Sequence, residues 1–190
     1  MSETDYETIK SDIKKLGNDM NKIGRRLPPY LLAVYGEIVA LIELKRRLGN
    51  KYEIKYKGGQ SKSDIELISK ENQRNKISID VKTSTYKNEF YGRGFGWALD
   101  KKKCKIHRKE DFCYFNYLVL IGIDDKNRMR FFIFSREETK NVPPNTSKRF
   151  KKSSNRIVMA FEVNRKNITG WDLNLMKNLD KYEDKWNKIK

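Results

Sequence analysis

The chain has 190 residues, and its 42 Lys and Arg against 25 Asp and Glu give a net charge of +17. Hydrophobic residues make up 37% and aromatic residues 12%, which is enough for a folded core and excludes a disordered basic tail. A single histidine, His107, excludes catalytic sites that need a histidine pair. We therefore expect one folded domain with a polyanionic partner.

The cysteine pattern and the hydropathy argue against export. Cys104 and Cys113 are too few for a disulfide framework, and residues 1–25 contain no apolar signal segment. Because no apolar run approaches the ~20 residues that cross a bilayer, we expect a cytoplasmic protein with no membrane part. Cys104, His107 and Cys113 have a loosely zinc-like spacing without an obvious fourth ligand, and ordinary buried cysteines are the simpler interpretation.

Two helices are predicted at the start of the chain. Apolar residues at steps of three and four predict an amphipathic helix over residues 5–27, which either packs on its own core or acts as a dimerisation arm. Pro28 and Pro29 end it and begin a second helix, which runs to about Leu48. This helix is apolar around most of its circumference, so the carboxylate of Glu37 is expected either to reach an edge or to point into a polar pocket.

Three short β segments follow at hairpin spacing, at 52–56, 64–69 and 76–82. In the third, the odd positions are apolar, whereas Ser78, Asp80 and Lys82 share the opposite face. The turn at 72–75 predicts that the second and third strands are antiparallel.

The later elements are predicted from segment length and periodicity. They are a helix at 97–110, strands at 117–123, 129–134 and 157–163, a short helix opened by a capping box of Ser135 and Glu138, and a C-terminal helix over 171–189. The expected fold class is α/β, with a mixed central sheet flanked by helices, including helices at both ends of the chain.

Acidic and basic residues converge at one end of the predicted meander. Asp80 and Lys82 leave the same face of a strand about 6.6 Å apart, and antiparallel pairing brings Asp64 towards them. Two carboxylates that face one point suit Mg²⁺ or Mn²⁺, and a neighbouring lysine can assist an attacking water or stabilise charge growing on a phosphate. These residues predict a phosphodiester hydrolase.

The segments Ser63-Asp64-Ile65 and Ile79-Asp80-Val81-Lys82, with Glu37 on the preceding helix, resemble the PD-(D/E)xK nuclease superfamily. Ser63 stands where the name of the motif has proline. The resemblance covers residues 30–135 and implies the restriction-endonuclease-like αβββαβ core. It also implies Mg²⁺-dependent DNA cleavage, with Mn²⁺ as a substitute, Asp64 and Asp80 as metal ligands, Lys82 as the catalytic lysine and Glu37 as the residue that completes the metal site.

We expect a single nuclease domain over residues 1–190, with a helical arm at 1–27, a catalytic core at 28–135 and a C-terminal extension at 136–190. Hydroxyl groups next to the motif, an arginine in a glycine-rich loop and two basic patches are expected to contact DNA phosphates. These residues are Thr83, Ser84, Arg93, Lys101, Lys102, Lys103, Lys148, Arg149, Lys151 and Lys152.

Within the superfamily, the sequence is most like a type II restriction endonuclease that acts on double-stranded DNA as a homodimer, with a cognate methyltransferase for the same site. The extra arms and loops favour this interpretation because they offer surface for base readout and dimerisation. A Holliday-junction resolvase or a structure-specific repair endonuclease is the alternative. A non-catalytic basic DNA-binding protein, in which Asp80 is incidental, is the alternative of another class.

Overall fold

The computed structural model of the protein describes residues 8, 11, 12, 15, 29–58, 63–85, 94–100, 115–124, 128–140, 156–162 and 179–190. The four separate N-terminal residues are helical, and the rest of the helix predicted at 5–27 lies outside the described residues. The described elements form a mixed α/β architecture, with a five-stranded sheet at its centre.

Helix α1 spans Pro29–Leu48, close to its predicted bounds. Proline suits its first position because a helix leaves the first backbone N–H groups without intrahelical partners. The expectation of burial around most of its circumference is wrong for the first turns, where Tyr30 is 68% and Leu31 is 40% exposed. Burial begins at Gly36, and Ala40 and Leu44 are fully buried against the sheet. No helix in the described part of the chain is long and apolar enough to cross a membrane.

Five strands form the central sheet and two more form a separate pair. Their bounds are β1 Tyr52–Tyr56, β2 Ile65–Ser69, β3 Lys76–Thr85, β4 Gly94–Asp100, β5 Tyr117–Ile123, β6 Met129–Ser135 and β7 Arg156–Glu162. The order in the central sheet is β1-β2-β3-β5-β6. Only β3 and β5 run parallel, whereas the other neighbours in this sheet are antiparallel. The predicted meander and the central strand at 117–123 are thus confirmed.

The core of the central sheet lies between α1 and the face formed by the odd positions of β3. Its members are apolar side chains from α1, the sheet and the C-terminal segment, residues 179–190. They are Ala40, Leu44, Ile65, Leu67, Ile77, Ile79, Val81, Val119, Ile121, Ile133, Trp186 and Ile189. The even positions of β3, including Asp80 and Lys82, belong to the opposite face.

The helix predicted at 97–110 is wrong for its first four residues, which continue strand β4. This strand pairs with β7 in an antiparallel two-stranded sheet. Its alternation decides the structure, because Phe95 and Trp97 are both buried, at 2% and 1% exposure, as alternate residues of a strand can be. The Trp97 indole N–H donates to the carbonyl of Ile121 at 2.9 Å. The Phe95 ring lies against Gly122, where an added Cβ would be only 2.8 Å from the ring.

The capping box predicted at Ser135 is confirmed. The backbone N–H of Ser135 donates to Glu138 Oε2 at 2.8 Å, and the backbone N–H of Glu138 donates to Ser135 Oγ at 3.2 Å. These reciprocal bonds satisfy donors that the first turn of helix α2, Arg136–Lys140, would otherwise leave without partners.

The C-terminal helix predicted over 171–189 is wrong from residue 180 onwards, although Leu179 is helical. Residues 179–190 contain two short 3-10 turns, Asp180–Tyr182 and Trp186–Lys188. Between them Asp184 has a φ of 51°, which ends any continuous helix. The segment follows the sheet instead, since Glu183 bridges to Phe132 and the backbone N–H of Asp184 donates to the carbonyl of Phe131 at 2.9 Å.

Helix α1 and strand β3 approach closely at Gly36, so Gly36→Ala is expected to destabilise the protein. An added Cβ would lie 1.6 Å from Thr83 Oγ1 and 2.8 Å from Thr83 Cβ, which forces the two elements apart. We expect urea denaturation to show a loss of about 1–3 kcal/mol in the free energy of unfolding. Ala33→Ser, at an exposed position of the same helix, is the control and should change little. Increased stability in Gly36→Ala would contradict the close approach.

Candidate active site

Strands β2 and β3 bring Asp64, Asp80 and Lys82 together. Asp64 immediately precedes β2, and its backbone N–H donates to the carbonyl of Ile79 at 3.0 Å, so it lies across from the middle of β3. Its side chain then accepts a 2.7 Å hydrogen bond from the backbone N–H of Val81 to Oδ2. This bond fixes the Asp64 carboxylate at the same height along the sheet as Asp80 and Lys82.

The Lys82 ammonium group joins the two carboxylates. Its Nζ atom is 2.7 Å from Asp80 Oδ2 and 3.7 Å from Asp64 Oδ2. It also donates to the carbonyl oxygen of Val81 at 2.9 Å. Asp80 is 1% and Asp64 is 5% exposed, whereas the side chain of Lys82 is 28% exposed. The site thus consists of two buried carboxylates and one partly exposed lysine, whose ammonium group contacts both of them.

Burial makes the charged form of Asp80 costly. Desolvation raises the pKa of this carboxyl from 3.8 to about 6, and the neighbouring negative charge of Asp64 adds to the effect, while Lys82 opposes it. Asp80 Oδ1 is buried and has no hydrogen-bond partner among the described residues. A buried carboxylate oxygen without a partner is rare, and a bound cation is one way to satisfy it.

Glu37 on helix α1 is hydrogen-bonded to the end of strand β1. Its Oε2 atom accepts a 2.6 Å hydrogen bond from the hydroxyl of Tyr56, which ends strand β1. This bond, burial and the charges of Glu37 and Asp64 raise the pKa of Tyr56 to about 12. Sequence reasoning missed Tyr56, although its place at the end of β1, opposite Ile65 and hence next to Asp64, follows from the hairpin register.

The oxygen atoms of this site fit a hard divalent cation. Among the described residues, no group of three or more histidine, cysteine, aspartate or glutamate side chains is arranged to hold a metal, so a ligand role for Glu37 stays a prediction. The atoms that could serve are the carboxylate oxygens of Asp64 and Asp80 and the carbonyl of Val81. Such an all-oxygen set, with Asp80 Oδ1 lacking a partner, is the type that Mg²⁺ and Mn²⁺ accept.

Of the residues expected to contact DNA, only Thr83 and Ser84 are described. They continue strand β3, and their hydroxyls face the protein interior: Thr83 Oγ1 is buried near Gly36, and Ser84 Oγ donates to the carbonyl of Thr85 at 3.3 Å. The remaining positions lie outside the described residues, as do Cys104, His107 and Cys113. They are Arg93, Lys101, Lys102, Lys103, Lys148, Arg149, Lys151 and Lys152.

The bond from Tyr56 to Glu37 predicts an unusual titration. We expect Tyr56 to remain protonated at about pH 11, where an ordinary tyrosine with a pKa near 10 is ionised. NMR titration of protein with ¹³C-labelled tyrosine, assigned with Tyr56→Phe, measures this directly. In Glu37→Gln, which removes the negative charge, the pKa of Tyr56 should fall towards 10. A Tyr56 that titrates near 10 in the unchanged protein would show that the bond is absent.

Comparisons with known proteins add little to this geometry. No protein-family model matches the chain, and no curated protein does. One solved structure with a similar fold is a bacterial homing endonuclease, I-Ssp6803I, at 11% sequence identity and a TM-score of 0.49. The match covers 86% of this chain and 92% of that chain. At this distance the likeness carries no functional assignment.

Proposed function

We propose that this chain is a metal-dependent DNA endonuclease of the PD-(D/E)xK type, which hydrolyses phosphodiester bonds. One observation carries the proposal: Lys82 Nζ lies 2.7 Å from Asp80 and 3.7 Å from Asp64, so two carboxylates and a lysine share one point on the sheet. This is the residue set needed to hold a hard cation beside a cationic hydrogen-bond donor. The net charge of +17 supports a polyanionic substrate.

In this proposal Asp64 and Asp80, with the carbonyl of Val81, hold Mg²⁺. The ion supplies Lewis-acid activation of the attacking water and of the scissile phosphate when it is bound. The backbone N–H of Val81 fixes the orientation of Asp64, so that carboxylate needs little reorganisation. Lys82, whose side chain is partly exposed, is the cation that can donate a hydrogen bond to the water or to a phosphate oxygen.

Glu37 is assigned a supporting role in the same proposal. Glu37 is 8% exposed, its carboxylate accepts a hydrogen bond from the Tyr56 hydroxyl, and both Glu37 and Asp64 raise the pKa of Tyr56. The Tyr56 hydroxyl thus links Glu37, in the middle of helix α1, to the end of strand β1 that neighbours Asp64. Glu37 would orient Tyr56 in this position, and a direct part in metal binding remains a prediction.

Cleavage of a long plasmid or phage DNA, with Mg²⁺ and with EDTA, tests the proposal. We expect metal-dependent cleavage that is lost in Lys82→Ala and in Asp80→Ala while DNA binding persists. Lys57→Ala is the matched control, because the Lys57 ammonium group pairs with Glu66, at 3.7 Å, and Glu66 is not one of the proposed metal ligands. DNA binding without cleavage under every metal condition would favour the non-catalytic alternative.

The finer part of the proposal is a sequence-specific type II restriction endonuclease that acts as a homodimer, with a methyltransferase for the same site. The length of the chain beyond the catalytic core and its basic charge support this choice. Discrete DNA bands and a dimer in light scattering are the expected results. Preferential cutting of a synthetic four-way junction over duplex DNA would instead select a resolvase.

A further inference from the structure

The ammonium group of Lys82 lies on the oxygen atoms that a metal ion would need. Its Nζ atom is 2.7 Å from Asp80 Oδ2 and 2.9 Å from the carbonyl oxygen of Val81. A third oxygen, Asp64 Oδ2, is 3.7 Å away. The side chain therefore folds back over its own strand towards the preceding carbonyl, and its charge lies between the carboxylates rather than beyond them.

A divalent ion and an ammonium group compete for this position. Mg²⁺ binds oxygen ligands at about 2.0–2.1 Å, whereas an ammonium group donates hydrogen bonds to carboxylates at about 2.7–2.9 Å, so both use the same lone pairs. Two positive charges a few ångström apart also repel each other strongly where burial lowers the effective dielectric constant. Occupation of these oxygens by one cation therefore excludes the other.

We propose that Lys82 is a resident cation of the site, which occupies the metal position in the metal-free protein and leaves it when a divalent ion binds. The inference rests on the proposed nuclease function for the identity of the competing ion. This arrangement keeps one positive charge beside the two buried carboxylates before the metal binds. Metal binding then releases the ammonium group towards solvent, to which the Lys82 side chain is already 28% exposed.

If Lys82 occupies the metal position, its removal should change the metal affinity in the opposite direction to the removal of a ligand. Removing a ligand or a residue that positions one weakens metal binding, whereas removing a competing cation tightens it. We therefore expect Lys82→Met, which keeps a long side chain without charge, to bind Mn²⁺ more tightly than the unchanged protein. Loss of the competing charge-assisted hydrogen bonds should lower the dissociation constant, measured by calorimetry, about tenfold.

Two variants serve as controls for the calorimetry. Lys57→Met also removes one positive charge close to the site, since the backbone N–H of Lys57 donates to the carbonyl of Asp64. The ammonium group of Lys57, however, pairs with Glu66. The dissociation constant of this variant for Mn²⁺ should stay close to that of the unchanged protein. Asp80→Asn removes a proposed ligand and should weaken binding. Equal tightening in both lysine variants would overturn the inference, because general electrostatics would explain it, and so would unchanged or weaker binding in Lys82→Met.

Chemical labelling of the unchanged protein tests the release of Lys82 without any variant. The protein is acylated with an amine-reactive ester, and the modification is quantified by peptide mass spectrometry. When saturating Ca²⁺ or Mn²⁺ is added, the acylation rate of Lys82 should increase relative to that of Lys57. Unchanged or slower acylation at Lys82 would show that the ammonium group stays on its oxygens, which overturns the inference.

The outcomes separate this inference from the proposed function. If Lys82→Met binds Mn²⁺ more tightly but the unchanged protein cleaves no DNA, the inference stands and the nuclease proposal is refuted. Mg²⁺-dependent cleavage without that tightening refutes only the inference. If neither the unchanged protein nor Lys82→Met binds Mn²⁺, both fail together.

Discussion

Asp80→Asn is expected to lower DNA cleavage by about 10²- to 10³-fold and, in the same protein, to stabilise the metal-free fold. The loss of cleavage follows because the variant removes one of two buried carboxylates that would hold the metal. The gain in stability follows because burial and Asp64 make the ionised form of Asp80 costly, and an amide of the same shape has no such cost.

The pKa of Asp80 determines how the stability of the unchanged protein varies with pH. The pKa of Asp80 is about 6 in the folded protein, above the value of 3.8 for an unperturbed aspartate, so the folded state holds this proton more strongly than the unfolded state. Stability contributed by the protonated group is therefore present below about pH 4 and lost as pH rises through about 6. The full loss corresponds to about 3 kcal/mol, and Asp80→Asn should recover about 1–3 kcal/mol of it above pH 7.

Urea denaturation in EDTA at several pH values measures this effect. Asp124→Asn is the matched control, because Asp124 bonds Arg128 in the turn between β5 and β6 and lies in another part of the sheet. This control should lose a little stability and none of the pH-dependent decline. Addition of Mg²⁺ should then stabilise the unchanged protein but not Asp80→Asn. Lower stability of Asp80→Asn above pH 7 would show that the pair with Lys82 is a net stabilising interaction.

The proximity of Asp64, Asp80 and Lys82 could be predicted from the sequence because it depends only on strand alternation and on one hairpin. Two residues on alternate positions of β3 share a face, and the turn at 72–75 sets the partner strand. The contact distances could not be predicted in this way. Two contacts, the one from Lys82 to the carbonyl of Val81 and the one from Tyr56 to Glu37, depend on rotamers that no periodicity encodes.

The two wrong helix predictions have a common physical origin. Residues 97–100 were expected in a helix because of the many lysines that follow them, yet the burial of Phe95 and Trp97 on alternate positions decides for a strand. The apolar steps of the C-terminal segment fit a helix, but the pairing of Glu183 with Phe132 replaces helical hydrogen bonds with contacts to the sheet. In both segments tertiary contacts override local propensity.

Trp186→Ala is expected to lower the free energy of unfolding more than the other substitutions considered, because this residue connects the C-terminal segment to the main core. Trp186 is 2% exposed and belongs to the cluster that includes Ala40 and Leu44 of helix α1. Its ring lies 5.4 Å from that of Phe131, and the guanidinium of Arg47 lies 5.5 Å from the centre of the ring. Removal of a buried tryptophan leaves a cavity that these neighbours cannot fill, so the free energy of unfolding should fall by about 3–5 kcal/mol.

The comparison of two substitutions shows what the tryptophan contributes. Trp186→Phe keeps an aromatic ring but loses the 3.2 Å hydrogen bond from the indole N–H to Asp184 Oδ1, and it should cost clearly less than the alanine variant. Asn187→Ala, at the exposed neighbouring position, should change stability by no more than about 0.5 kcal/mol. A loss below about 1 kcal/mol for Trp186→Ala would mean that the C-terminal segment only covers the core. A large loss makes residues 179–190 part of the core that supports β3, and hence of the support for Asp80 and Lys82.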